Sequence, residues 1–214
     1  MSRSDIPRLH LVTDDAVLHR PDFQRVAAEV LEAGGERLAL HVRGPGCTGS
    51  RIYEWAGALA PMAETSGSRL FVNDRVDVAM ALGLKGVHLP QHSLPAGVAR
   101  DLLGSGALIG VSTHASDEVL EAAGGGADYV FVGAIFETAS HPGVEGRGLE
   151  AVTRAGEAGL PVIAIGGVAV THVGDVLAAG ASGVGIIAGV WSAPHPRDAV
   201  IRYLDALDRE TGES

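Results

Sequence analysis

Eight short runs of apolar, largely β-branched residues recur along the chain, each followed by a stretch with helical spacing. This alternation constrains the fold more than any other feature of the sequence. The runs Leu9–Thr13, Leu38–Val42, Leu70–Val72, Gly86–Leu89, Leu108–Val111, Tyr129–Val132, Val162–Ile165 and Gly183–Ile187 predict strands. Phe23–Ala33, Ile52–Thr65, Val76–Leu82, Val98–Leu103, Ser116–Ala123, Leu149–Ala158, Val173–Ala179 and Asp198–Leu207 predict helices. Strands that are apolar throughout are buried on both faces, as in a parallel sheet, and short links then demand right-handed crossovers through the helices. Eight such units predict a closed (β/α)8 TIM barrel of the α/β class. An open doubly wound sheet would carry a glycine-rich turn after its first strand. Here that turn reads Thr13-Asp14-Asp15.

Composition agrees with such a core. Apolar residues make up 46% of the chain and aromatics only 4%, so the interior must be assembled from Ala, Val, Leu and Ile. No Pro- or Ser-rich linker interrupts the rhythm, so one domain over residues 1–214 is expected, with polar ends fraying at about 1–7 and 209–214. The formal charge of −10 argues against a nucleic-acid or anionic-membrane surface, which needs clustered Lys and Arg. The single cysteine, Cys47, excludes an internal disulfide, and no signal-peptide pattern or bilayer-length apolar run is present. A soluble, cytoplasmic protein is the expectation. Apolar residues expected on outer helices, Trp55 and Trp191 among them, leave room for a homodimer interface.

In a TIM barrel the chemistry sits at the carboxyl ends of the strands, so the residues closing each run carry the functional reading. They are Arg43 after the second run, Asn73-Asp74 after the third, Gln91 after the fourth, Ser112-Thr113-His114 after the fifth and a long stretch, Phe136 to Gly148, after the sixth. Gly166-Gly167 and Ile187-Ala188-Gly189 follow the seventh and eighth, where this fold commonly cradles a phosphate with backbone N–H groups. Gly166-Gly167 alone reads equally as a tight turn; its pairing with the last loop favours the phosphate. His141, beside Ser140 and before Pro142-Gly143, is placed to overhang a ligand as a proton-transfer group. His10, His41 and His88 read as structural or functional alike. Asp14, Asp15, Asn73, Asp74 and Asp77 carry the hard oxygens that Mg²⁺ takes, although Asp14 serves equally as a helix cap and Asp77 as a solvated residue. Cys47 has no identifiable activator and reads as a loop residue.

Five segments now bear on family. Leu9-His10-Leu11-Val12-Thr13-Asp14, Val72-Asn73-Asp74-Arg75-Val76-Asp77-Val78-Ala79, Gly86-Val87-His88-Leu89, Ala127-Asp128-Tyr129-Val130 and Ala164-Ile165-Gly166-Gly167, in that order, resemble the thiamin phosphate synthase and thiazole tautomerase superfamily, from Leu9 to about Val190. The resemblance implies a thiamin-pathway enzyme that binds a small phosphorylated thiazole. It implies one of two activities: a synthase joining hydroxymethylpyrimidine diphosphate to thiazole phosphate, or a tautomerase that aromatises the thiazole by moving a proton. Against the synthase pattern, Arg43 is followed by Gly44-Pro45 in place of an acidic residue and a Lys. Ser93 stands where a metal-binding Asp belongs, and Thr138-Ala139-Ser140-His141 replaces Thr-x-Thr-Lys. A diphosphate leaving without those cations loses transition-state electrostatics, so the expectation is an isomerase, the thiazole tautomerase.

Phe136-Glu137-Thr138 and Glu145-Gly146-Arg147-Gly148 carry that branch of the resemblance. His141 is its expected acid/base, because Ala134 stands where the tautomerase pattern has a His. Expected substrate-binding residues are Arg43, Asn73, Gln91, Ser112, Thr138, Ala139, Ser140, Gly143, Gly167, Ile187 and Ala188. No metal ligand and no cofactor is expected; Mg²⁺ enters only with the synthase. A non-catalytic binder of thiamin metabolites is the third reading.

Overall fold

The structure, a computed structural model, describes residues 6–114, 116–138, 143 and 145–209. Eight parallel strands, β1 (Leu9–Val12), β2 (Leu38–Val42), β3 (Arg69–Asn73), β4 (Gly86–Leu89), β5 (Leu108–Thr113), β6 (Tyr129–Gly133), β7 (Val162–Ile165) and β8 (Gly183–Ile186), pair in chain order, and β8 pairs back onto β1. The helices are α1 (Asp15–Leu18), α2 (Phe23–Gly34), α3 (Gly49–Ser66), α4 (Val76–Leu82), α5 (Ala96–Leu103), α6 (Ser116–Gly124), α7 (Gly148–Gly156), α8 (Val173–Ala178), α9 (Ala188–Trp191) and α10 (Pro196–Arg209). The chain is thus the closed (β/α)8 barrel that the alternation predicts. No helix among the described residues is long and apolar enough to cross a membrane.

Side chains alternate across each strand, and this divides the apolar residues into two layers. Leu9 and Leu11 of β1, Leu38, Leu40 and Val42 of β2, and Val130 and Val132 of β6 lie under the helices, none more than 2% exposed. The alternate set, Val12, Ala39, Phe71, Leu108, Tyr129, Phe131 and Ile163, fills the barrel. His10, His41 and His88 fall in register with this inner set: Val12 pairs with His41, His41 with Phe71, and His88 with Gly110. The same alternation carries Arg43, Asn73 and Ser112 toward the axis at the carboxyl end.

Local chemistry sets several element ends. Asp14 caps α1 by accepting from Val17 N at 2.8 Å, and Thr48 caps α3 by accepting from Arg51 N at 3.3 Å. Pro196 opens α10, where a missing N–H costs nothing. Asp128, at the amino end of β6, accepts from Ile109 N and from Arg100 Nη2, both at 2.7 Å. The Ala127-Asp128 motif therefore laces β5, β6 and α5 together at the end of the barrel away from the site.

The outer-face reading of Trp191 is corrected. Its indole is 2% exposed, donates Nε1–H to Val12 O at 2.9 Å and lies 5.7 Å from the Phe23 ring. Trp55 is half-buried and meets the same Phe23 ring edge-on at 4.9 Å. Helical spacing alone does not tell a face turned to the barrel from one turned to a partner, and both indoles turn toward Phe23.

Candidate active site

The chemistry at the carboxyl-end rim begins with Arg43, half-buried at the end of β2. Its backbone is clamped by Thr13: Arg43 N donates to Thr13 Oγ1 at 2.8 Å, and Thr13 Oγ1 donates to Arg43 O at 2.8 Å. The half-buried guanidinium makes no hydrogen bond or ion pair among the described residues. A positioned, unspent fork of donors is suited to a phosphate group.

Asn73 and Ser112 sit where β3 and β5 open into the mouth. Asn73 Oδ1 lies 3.2 Å from His41 Nδ1, and Ser112 Oγ lies 2.8 Å from His88 Nε2. Asp74 follows with a left-handed backbone, φ 63°, which Asp tolerates better than most residues. Its N–H donates to His88 O at 2.9 Å, and Ser93 Oγ donates to its Oδ1 at 2.5 Å. Gln91 is drawn away from the axis: its Nε2 donates to Glu118 Oε1 at 2.6 Å, on α6. Glu118 also accepts from His114 N at 2.5 Å.

The loop after β6 is fastened at both ends. Ile135 N donates to Ile165 O and Phe136 N to Gly166 O, each at 3.0 Å. The returning strand of the loop is held by Arg147 N to Ala134 O at 2.8 Å and Gly148 N to Ile135 O at 2.9 Å. Arg147 Nη1 donates to His114 O at 3.1 Å. Any side chain at position 146 would collide with Ile135 O, and the Phe136 ring packs 4.3 Å from His172. Phe136, Gly146 and Arg147 therefore shape the loop. Gly167 is bound to the same loop: its φ is +69°, and a Cβ there would lie 2.5 Å from Glu137 O. The tight-turn reading of Gly166-Gly167 thus has a packing cause. Ala188 opens α9, with Ile187 just before it. Thr138 is half-buried and Gly143 exposed, while Ala139, Ser140 and His141 lie outside the described residues.

Other candidates are accounted for. Asp14 is a cap, Asp15 accepts from Gly46 N at 3.0 Å, and Asp77 pairs with Arg75 at 2.5 Å. Burial and the Asp15 carboxylate push the Cys47 thiol up, away from a reactive thiolate. Among the described residues no group of three or more His, Cys, Asp or Glu side chains could hold a metal ion.

The sequence did not assign the interior histidines. His10 and His41 are fully buried and His88 is 1% exposed. His10 Nδ1 lies 2.9 Å from His41 Nε2, His10 Nε2 lies 2.8 Å from Pro7 O, and the His41 ring stacks on Phe71 at 4.7 Å. Burial lowers His10 and His88 to about 3, and burial with the nearby His10 and His88 lowers His41 well below its ordinary value. The ordinary value for histidine is 6.5, so below that pH the unfolded chain takes up protons that the folded chain refuses. Stability is therefore present above pH 6.5 and should be lost as pH falls, approaching ~1.4 kcal/mol per pH unit for each ring. Urea denaturation from pH 7 to 4 measures this. A flat profile would mean that the rings are charged or solvated in the folded protein.

Comparison with known proteins gives a consistent result. The profile of the family described as thiamine monophosphate synthase matches residues 9–190. Among relatives, the chain is 37% identical to the thiamine-phosphate synthase of Salinispora arenicola, over 95% of this chain and 99% of that one. It is 38% identical to the thiamine-phosphate synthase of Chlorobium phaeovibrioides, over 97% and 95%. Among solved structures, a thiamine phosphate pyrophosphorylase from Pyrococcus furiosus superposes with a TM-score of 0.82 at 29% identity, covering 97% of this chain and 98% of that one.

These findings overturn the expectation of a thiazole tautomerase. The relatives carry the synthase name at 37 and 38% identity. The physical reason for the error lies in the β6 loop. Phe136, Gly146 and Arg147, read as marks of the tautomerase branch, are held by backbone hydrogen bonds and close packing that any chemistry at this mouth could use.

Proposed function

We propose, from the premise that the chain belongs to the thiamine monophosphate synthase family, that it joins a pyrimidine diphosphate to a thiazole phosphate and releases diphosphate. The observation that carries this reading is Arg43, a half-buried guanidinium with no partner among the described residues, set at the barrel mouth. The thiazole ring nitrogen contributes the electron pair of a new C–N bond to the methylene carbon of the pyrimidine. The C–O bond to the diphosphate breaks, and diphosphate departs with that bond's electrons. Arg43 binds the departing group through paired N–H donors. Thr138, with the backbone at Gly167 and Ala188, holds the thiazole phosphate on the far side of the mouth. Asn73 and Ser112 lie between, and the Phe71 and Phe131 rings close the floor against water.

The reading brings Mg²⁺ with it, and the donors at Asp74 bear on its fit. Asp74 offers one carboxylate, and Ser93 Oγ, 2.5 Å from its Oδ1, offers a neutral oxygen. Mg²⁺ is commonly held by one or two carboxylates with substrate phosphates and water, so these residues fit a site whose remaining ligands come from diphosphate and solvent. Bound there, Mg²⁺ would neutralise charge on the diphosphate. Ser93→Asp sets a second carboxylate beside the first. Titrating Mg²⁺ while following thiamine phosphate formation should show a half-maximal concentration about tenfold lower in Ser93→Asp than in the natural protein. No product from either protein at any Mg²⁺ concentration would contradict the synthase reading.

A further inference from the structure

We propose that His10 and His41 are positioning residues that fix the Asn73 amide with its nitrogen on His41, so that its carbonyl oxygen is the atom offered to a ligand's N–H donor at the barrel mouth. The inference follows from counting protons along a buried chain. Three short contacts run in series: Pro7 O to His10 Nε2 at 2.8 Å, His10 Nδ1 to His41 Nε2 at 2.9 Å, and His41 Nδ1 to Asn73 Oδ1, as that amide is placed, at 3.2 Å. A carbonyl only accepts, so His10 Nε2 carries a hydrogen and donates to Pro7 O. A neutral His10 then has a bare Nδ1, which accepts from His41 Nε2–H. A neutral His41 in turn has a bare Nδ1, which can only accept. Oxygen and nitrogen of an Asn amide have nearly the same shape, and the network decides which is which. A bare His41 Nδ1 facing the placed Asn73 Oδ1 would set two acceptors together, so the chain closes only with the amide turned over and its nitrogen on His41.

Both rings are neutral because they are fully buried, with no carboxylate among their hydrogen-bond or ring partners; the neighbours are Pro7, Asn73, Phe71, Tyr129, Phe131 and His88. Desolvation lowers the two titration points accordingly. The chain is therefore directional, from Asn73 through His41 and His10 to Pro7, and the His41 ring is locked flat on Phe71 by an interplanar angle of 8°. Asn73 is half-buried at the end of β3, and no other partner for its side chain occurs among the described residues. An accepting oxygen repels phosphate oxygens. Resting on the synthase reading, the ligand part that meets Asn73 is then the nitrogen-bearing pyrimidine and not either phosphorylated end.

Asn73 is the only asparagine in the sequence, which makes the test clean. In protein labelled with ¹⁵N at Asn and His side chains, long-range ¹H–¹⁵N spectra at pH 7 should show His10 and His41 as neutral Nε2–H tautomers. A scalar coupling across the hydrogen bond should link Asn73 Nδ2 to His41 Nδ1. A His41 Nδ1–H tautomer, an imidazolium in either ring or absence of the coupling would overturn the relay. In kinetics, His41→Leu should raise the KM for the pyrimidine diphosphate about tenfold with little change in kcat. His41→Gln, which can accept from Asn73 and donate to His10, should restore it. Equal kinetics in both variants would argue against positioning. The spectra need no turnover, so an inactive protein would refute the synthase reading and leave the relay tested on its own.

Discussion

Asp74→Asn should lower kcat/KM for thiamine phosphate formation by roughly 10²- to 10³-fold while leaving the fold intact, the size of effect seen when one element of transition-state electrostatics is removed. The substitution isolates charge from shape. Asn is the residue, after Gly and with Asp, that best tolerates the left-handed backbone found at position 74 with φ 63°. Its Oδ1 can still accept from Ser93 Oγ, now 2.5 Å away, and the backbone bond to His88 O is untouched. What disappears is the negative oxygen that a diphosphate-bound Mg²⁺ would meet. Steady-state kinetics at saturating Mg²⁺, paired with a melting curve, reads both parts of the expectation. An unchanged kcat/KM would place the metal elsewhere, and a large fall in melting temperature would make Asp74 a folding residue.

The largest loss of stability is expected at Trp191, on the short helix α9. Trp191→Ala should cost ~3–5 kcal/mol, the usual range for emptying a buried large aromatic site. The indole is 2% exposed, packs on Phe23 and donates to Val12 O at 2.9 Å. That hydrogen bond ties α9 to β1, so Ala188, three residues earlier, should lose its position together with the ring. Urea denaturation measures the first effect, and the KM for thiazole phosphate, expected to rise, measures the second. Trp191→Phe keeps most of the packing but leaves Val12 O without its donor, at a cost of ~1–3 kcal/mol. If both variants lost the same stability, the hydrogen bond and not the ring volume would be what holds α9.

The barrel was legible because burial on both faces writes a continuous apolar run, and seven of the eight strands begin at the residue where that run begins. β3 differs: it starts at Arg69 and ends at Asn73, because ladder pairing with Ala39 continues past the apolar residues. The four-residue helices α1 and α9 were not foreseen, since one turn is too short to show a period. Trp191 was misplaced for a related reason, as amphipathic spacing marks a face without saying what covers it.

At the site, strand ends gave Arg43, Asn73 and Ser112 their positions, and these do converge at the mouth. Gln91 follows β4 by two residues, yet Glu118, distant in sequence, turns it outward. Thr13, which clamps Arg43, and the His10–His41–Asn73 series depend on contacts across 30 or more residues. The available signal was three histidines at inward positions of otherwise apolar strands. The β6 loop misled because a glycine demanded by close packing looks the same in a sequence as one demanded by a ligand.

The most direct test supplies the purified protein with hydroxymethylpyrimidine diphosphate, thiazole phosphate and Mg²⁺, and quantifies thiamine phosphate and diphosphate in the same quenched samples. One diphosphate released per thiamine phosphate formed, with neither appearing when either substrate is omitted, is the expected result. Silence with all components present, or diphosphate release that does not need thiazole phosphate, would contradict the assignment.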